Sequence, residues 1–378
     1  MPAISNLFKV KGCIFAMLNL NNFMNNGIKN ISDTAGRFYF GNRRGQAFML
    51  QTAANLHKSA KIRARHEQNG THIPPFLIAS IAADCNLRCA GCYAWANGSC
   101  GDGRAQEQLA AGDWRRVFQE ASDLGISFIL LAGGEPLLRH DIIQLASEFE
   151  HIIFPVFTNG TMIDEDYLNL FDKHRNLIPV LSLEGDAEKT DARRGAGVSE
   201  KVGQAAEHLK ERGILFGASI TVTTENQNDV TEPDFAEALR EKGCGLVFYV
   251  EYVPVEKNTD HLILREDNLC ILAARIDGLR GNKKNKGMIF LSFPGDEEAM
   301  GGCLAAGRGF FHINATGGAE PCPFSPYSVM NLKEQSLLAV LQSSFFEKVR
   351  EISAAEALNH KGGCTLFQYE NQVKQAVL

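Results

Sequence analysis

From residue 76 onward the chain alternates two patterns. Short apolar runs, rich in β-branched residues, give way to a polar or glycine-containing gap, then to a longer stretch with apolar residues at helical spacing. The runs at 76–82 (FLIASIA), 126–134 (ISFILLAGG), 152–160 (IIFPVFTNG), 177–185, 214–223 and 245–253 predict strands. The stretches at 113–125, 141–150, 164–174, 199–213, 232–243 and 266–280 predict helices, the first opening on Asp113 and closing on Gly125. Near-continuous apolar strands alternating with amphipathic helices argue for a parallel sheet covered by helices. Six such units predict an α/β fold, a partial (β/α)6 TIM-like barrel, with its chemistry at the C-terminal strand ends.

The polar interruptions support that placement. Three cysteines follow the first strand, GGEP follows the second, TNG the third, and SLEGD ends the fourth. All four fall at the same end of the predicted sheet. Beyond residue 286 the rhythm changes: residues 287–324 hold strand-like pieces with glycine turns, including a hairpin turning at Gly317-Gly318, and a helix is predicted at roughly 336–351. The expected organisation is a basic N-terminal helical extension (1–74), the partial barrel (75–286) and a small C-terminal α+β module (287–378).

Composition narrows the class. With 45% hydrophobic and 22% charged residues the chain reads as soluble and globular. The first apolar run is soon broken by Asn19, Asn21 and Asn22 with no small-residue cleavage site, so a cytoplasmic protein is expected. In that reducing setting, ten cysteines point to metal binding or chemistry rather than disulfides. The net charge of −6 conceals an asymmetry: residues 1–70 carry ten Lys/Arg against two Asp/Glu. A basic leading segment on an acidic body reads as a solvated helical face, or as a surface for an anionic substrate, a partner or a membrane. Nothing calls for nucleic acid.

The cysteines Cys85, Cys89 and Cys92 are spaced C-x3-C-x2-C, with Tyr93 directly after them. Structural zinc wants four ligands, which here would require a residue such as Cys100. Bacterial ferredoxin runs are spaced C-x2-C-x2-C. An iron–sulfur cube held by three cysteines leaves one iron free to accept a small molecule through an amine and a carboxylate.

This stretch resembles the radical S-adenosylmethionine (radical SAM) superfamily, and the family's other motifs follow in order over about residues 76–260. The resemblance implies a SAM-binding 4Fe–4S cluster on Cys85, Cys89 and Cys92. It also implies a methionine-binding turn at Gly133, Gly134, Glu135 and Pro136, where glycine lets backbone approach a ligand. Ser182 resembles a SAM-contacting position, and Glu184 stands where Asp is more usual. Arg194, with Arg193 as the alternative, resembles the arginine that reaches the SAM carboxylate. Tyr93 reads as a lining of the adenosine pocket or as core packing. The implied chemistry is reductive cleavage of SAM to a 5′-deoxyadenosyl radical, which takes hydrogen from a substrate, with an electron donor such as flavodoxin or ferredoxin.

The C-terminal segment resembles the SPASM/twitch extensions of this superfamily, which hold auxiliary iron–sulfur clusters. It departs from them: after Cys322 no closely spaced cysteines follow, and Cys364 lacks a C-x2-C partner. Cys303, Cys322 and Cys364 therefore either hold an auxiliary 4Fe–4S cluster one ligand short, open or completed by a residue such as His360, or are packed thiols. The substrate reads as a peptide or protein undergoing maturation, or alternatively as a small molecule or lipid. A non-catalytic iron–sulfur redox protein is a third reading, which the GGEP turn opposes.

Overall fold

The computed structural model describes residues 7–10, 13–16, 43–101, 108–356 and 363–377. Its centre is a nine-stranded sheet in the order β11-β10-β3-β4-β5-β6-β7-β8-β9. The strands are β3 (Phe76–Ala82), β4 (Phe128–Gly133), β5 (Phe154–Thr158), β6 (Leu177–Leu183), β7 (Phe216–Val222), β8 (Cys244–Glu251), β9 (Ile289–Phe293), β10 (His312–Ile313) and β11 (Ala319–Glu320). From β3 to β9 every neighbouring pair is parallel. The six strands read from the sequence are present and parallel, as a partial barrel requires.

The strands are apolar throughout because both of their faces are used. Along β3, Leu77, Ala79 and Ile81 are fully buried, whereas Phe76 and Ile78 line the barrel lumen. The same alternation runs through β4, with Ile129 and Leu131 in the main core and Phe128 and Leu130 on the lumen. Two-residue periodicity puts alternate side chains on opposite sides. Glycine ends the helix Ala111–Leu124, where Gly125 takes a left-handed φ of 79°. Asp164 and Asp186 cap the helices Glu165–Lys173 and Ala187–Arg194 with their side chains.

Three features differ from the sequence expectation. The sheet is wider than six strands, since β9 extends it beyond β8 and β10 pairs in parallel with β3. The predicted hairpin is thus part of the barrel sheet. It is fastened by a buried network in which Ser80 Oγ lies 2.7 Å from His312 Nε2 and His312 Nδ1 lies 2.7 Å from Glu320 Oε2. Second, the helix expected at 336–351 is two helices, Leu337–Leu341 and Ser344–Glu356, because Ser343 Oγ accepts the Phe346 amide at 3.3 Å and starts a new one. Third, the leading segment is not purely helical: strands β1 (Leu7–Val10) and β2 (Cys13–Ala16) pair antiparallel. Their runs, LFKV and CIFA, are rich in β-formers and stand two residues apart.

The helix Arg43–Gln68 closes the floor of the barrel. Leu56 packs with Phe128, Ile153, Ile178, Leu215 and Leu246, residues from the N-terminal ends of successive strands. Arg63 Nη1 donates to Ser127 Oγ at 2.9 Å and also to the Gly125 carbonyl. Among the described residues, no helix is long and apolar enough to cross a membrane.

Candidate active site

The segments that follow β3, β4, β5 and β6 converge at the C-terminal mouth of the barrel. The cysteine loop is pinned along its length. The Leu87 amide points at Cys85 Sγ at 3.4 Å, Trp95 Nε1 donates to the Leu87 carbonyl at 3.2 Å, and Arg88 lies over the Trp95 ring at 4.4 Å. The Ala90 amide donates to the Arg193 carbonyl at 2.9 Å, and Arg193 Nε returns to the Ala90 carbonyl at 3.1 Å. Gly91 has φ +67°, and a Cβ there would stand 2.8 Å from the Tyr252 ring. Only glycine fits that turn.

Cys85, Cys89 and Cys92 are half-buried. Burial pushes the Cys85 thiol up to about 11, assisted by Glu135 and the other two cysteines. Burial also raises Cys89, while Arg194 and Arg193 pull it down. These are thiols that lose their protons readily only when positive charge arrives. Cys100, the alternative fourth ligand of a zinc loop, is fully buried, and its sulfur would lie 2.9 Å from a Cβ on Gly134.

The GGEP turn sits against the same loop. A Cβ on Gly133 would fall 2.3 Å from the Ala82 carbonyl oxygen, and one on Gly134 2.1 Å from that of Asp84. Backbone therefore lies directly on backbone, tied by Gly134 N to Ala82 O at 2.7 Å and Glu135 N to Asp84 O at 2.9 Å. Glu135 is buried, and its oxygens accept from the Leu137 amide at 3.0 Å, the Thr158 hydroxyl at 2.7 Å and the Asn159 amide at 2.8 Å. Burial raises its pKa, and those three hydrogen bonds oppose the rise. Pro136 opens the short 3-10 helix Pro136–Leu138. Thr158 and Asn159 were visible in the sequence only as TNG at a strand end, and their role is to hold Glu135.

Ser182, near the end of β6, faces the cavity. Glu184 does not stand open to a ligand. Its Oε1 takes Arg193 Nη1 at 2.5 Å and Arg194 Nε and Nη2 at 2.9 and 2.5 Å, and its Oε2 takes the Thr221 amide at 3.1 Å. Both arginines line the cavity, so Glu184 positions them while their combined charge exceeds its own. Tyr93 also lines the cavity, edge-on to Phe324 with ring centroids 5.2 Å apart. It thus serves as wall and packing together.

The second cysteine set is gathered from three distant positions. Cys303, Cys322 and Cys364 are all buried. Cys322 and Cys364 are joined by a hydrogen bond, and both lie within electrostatic reach of Cys303. Burial raises Cys303 and Cys322 well above the usual thiol range. Glu297, a residue no sequence signal singled out, shares a hydrogen bond with Cys303. His360 lies outside the described residues. Among the described residues no three His, Cys, Asp or Glu side chains are drawn tightly enough together for a single metal ion.

The first set fits a cluster with one open corner: three neighbouring thiols, a compensating arginine pair, and a glycine turn whose backbone a side chain would obstruct. One cavity of about 500 Å³ joins Cys85, Cys89, Cys92, Gly133, Gly134, Glu135, Ser182 and Arg194.

Comparison with known proteins agrees. The chain is 24% identical over 327 residues to the AdoMet-dependent heme synthase of Methanosarcina barkeri, covering 79% of this chain and 90% of that one. It is 26% identical over 266 residues to the PqqA peptide cyclase of Granulibacter bethesdensis, covering 66% and 68%. The fold matches Streptococcus suis SuiB bound to its precursor peptide SuiA with a TM-score of 0.63, at 20% identity over 81% of this chain and 75% of that one. Residues 80–241, which carry the cysteine loop, the glycine turn and the paired arginines, match the Radical SAM superfamily, and this part of the chain is a radical SAM enzyme domain.

Proposed function

We propose that the substrate of this radical SAM enzyme is a small molecule with an apolar body that enters the barrel lumen. The observation that carries this reading is the continuous cavity itself. It runs from the three cysteines past Phe157, Phe248 and Leu291 to Phe48 and Thr52 on the floor helix. A volume of about 500 Å³ suits a drug-sized ligand. Apolar walls bind apolar surface, and few polar groups on them remain to orient a polar substrate.

Cys85, Cys89 and Cys92 would hold the cluster; Gly133, Gly134 and Glu135 would receive the amine end of SAM and Arg194 its carboxylate. Ser182 and Tyr93 would line the remainder. When bound, the cluster and SAM supply an electron and a 5′-deoxyadenosyl radical that takes hydrogen. The chain's own work is to fix the loop through Arg193, to hold Glu135 by Thr158 and Asn159, and to keep water from the lumen. A small protein reductant of the flavodoxin or ferredoxin class would serve the cluster, and the basic leading segment would offer it, or a membrane surface, a docking face.

Peptide maturation is the second reading, favoured by the likeness to SuiB and the PqqA peptide cyclase. The test is anaerobic incubation of reconstituted protein with SAM, a strong reductant and deuterated candidates of both classes. Deuterium in the 5′-deoxyadenosine from an apolar small molecule supports the proposal; label from peptides alone overturns it.

A further inference from the structure

The second cysteine set is one ligand short, and a buried carboxyl stands beside one of its members. Glu297 lies in the short helix Gly295–Ala299 that follows β9 and is only 6% exposed. The chain then turns sharply. Met300 N and Gly302 N both return to the Glu297 carbonyl, at 3.0 and 2.9 Å, and the Leu304 amide donates to Glu297 Oε1 at 3.1 Å. This turn brings Cys303 back onto the Glu297 carboxyl, with which it shares a hydrogen bond.

A buried carboxylate is costly unless a positive charge answers it. Arg308 is the cation within electrostatic reach. Its guanidinium, however, is spent on backbone: Nη1 donates to the carbonyls of Gly302 and Cys303 at 2.8 and 2.9 Å, and Nη2 donates to that of Met300. The neighbouring acids are differently engaged. Asp296 is paired with Arg280 at 2.7 Å, and Glu320 is bound by His312 and Asn314. Glu297 is therefore the acid of this group whose carboxyl lies against a thiol of the set, held there by the Leu304 amide.

We propose that Glu297 is the fourth protein ligand of an iron–sulfur cluster held by Cys303, Cys322 and Cys364. This rests on the reading that the second set holds a cluster. Binding requires the carboxyl and the three thiols to give their protons to solvent, and involves no change of oxidation state. Because Glu297 and Met300 both line the barrel cavity, the carboxylate-bound iron would face the lumen. A carboxylate is a harder and weaker partner for iron in a sulfide cube than a thiolate.

The experiment uses the full chain with Cys85, Cys89 and Cys92 all changed to Ala, so that only the second set can load. Reconstituted anaerobically with iron-57 and sulfide, it should hold about four irons. One of them should show the Mössbauer signature of oxygen ligation. Adding Glu297→Ala should make that iron labile: mild oxidation should convert most clusters to the three-iron form seen by electron paramagnetic resonance, at least fivefold more than in the parent. Glu297→Cys should restore resistance to oxidation, remove the oxygen signature and lower the reduction potential. If Glu297→Ala loads and oxidises like its parent, with the spectrum unchanged, Glu297 is not a ligand, though the cluster stands. If the parent takes up no iron while its circular dichroism is native, the cluster reading falls and the proposal with it.

Discussion

The molecule contains two sets of three cysteines, and they are built in opposite ways. Cys85, Cys89 and Cys92 fall within eight residues, on one loop, half-buried at the mouth of the barrel with Arg193 and Arg194 beside them. Cys303, Cys322 and Cys364 are separated by tens of residues, buried, and have the Glu297 carboxyl as well as the Arg308 guanidinium as neighbours. The first environment favours an anionic ligand arriving from the lumen, because the arginines outweigh Glu184. The second favours a group that stays, because its donors are enclosed and drawn together from distant parts of the chain. One set is arranged to bind and release; the other is arranged to hold.

The largest effect expected from that contrast is at the first set. Changing Cys85, Cys89 and Cys92 to Ala should abolish 5′-deoxyadenosine formation and lower iron from about eight to about four per chain. Retained cleavage would mean that the mouth is not where SAM reacts. Next comes Gly134→Ala. Its Cβ would meet the Asp84 carbonyl at 2.1 Å, backbone that cannot step aside without moving Cys85. SAM cleavage should fall roughly 100-fold, since even a displacement of about 1 Å can cost that much. Wild-type rates in that variant would show that the loop and the turn are not coupled. Changing Cys303, Cys322 and Cys364 to Ala should remove the other half of the iron, about four per chain. Cleavage of SAM without substrate should nonetheless persist within about tenfold of the parent. Equal loss of cleavage from both triple variants would erase the distinction between the sets.

How much of this was legible in the sequence follows the same division. The first set was legible because its chemistry is local: the spacing of Cys85, Cys89 and Cys92, and the position of GGEP after an apolar run, place ligands by chain connectivity alone. The lumen-facing residues were also implicit, since strands apolar at every position must bury both faces. The second set was legible as three candidate ligands, but its surroundings were not. What draws Glu297 onto Cys303 is a tight turn strapped by Arg308, and no periodicity marks it. The width of the sheet escaped for a related reason, because β10 is two residues long and reaches β3 by a pairing between residues more than 230 positions apart. Glu184 was legible as a strand-end acid, but sequence does not give its partners. Only the fold shows that both arginines return to it.

The smallest effect separates two adjacent arginines within the first set. Arg193 and Arg194 share Glu184, yet Arg193 alone reaches the Ala90 carbonyl, between Cys89 and Cys92, at 3.1 Å, and Thr221 Oγ1 at 2.8 Å. Arg194 spends its observed hydrogen bonds on Glu184 alone, at 2.9 and 2.5 Å. Arg194→Met should therefore weaken SAM binding about tenfold, or about 1.4 kcal/mol, while the iron content is unchanged. Arg193→Met should loosen the loop as well, so that iron is lost faster to a chelator and part of the affinity loss follows from cluster loss. Titration of SAM against each variant, with iron counted in the same samples, checks the split. If Arg193→Met keeps its iron and Arg194→Met sheds it, the assignments are reversed: Arg194 holds the loop and Arg193 reaches the carboxylate.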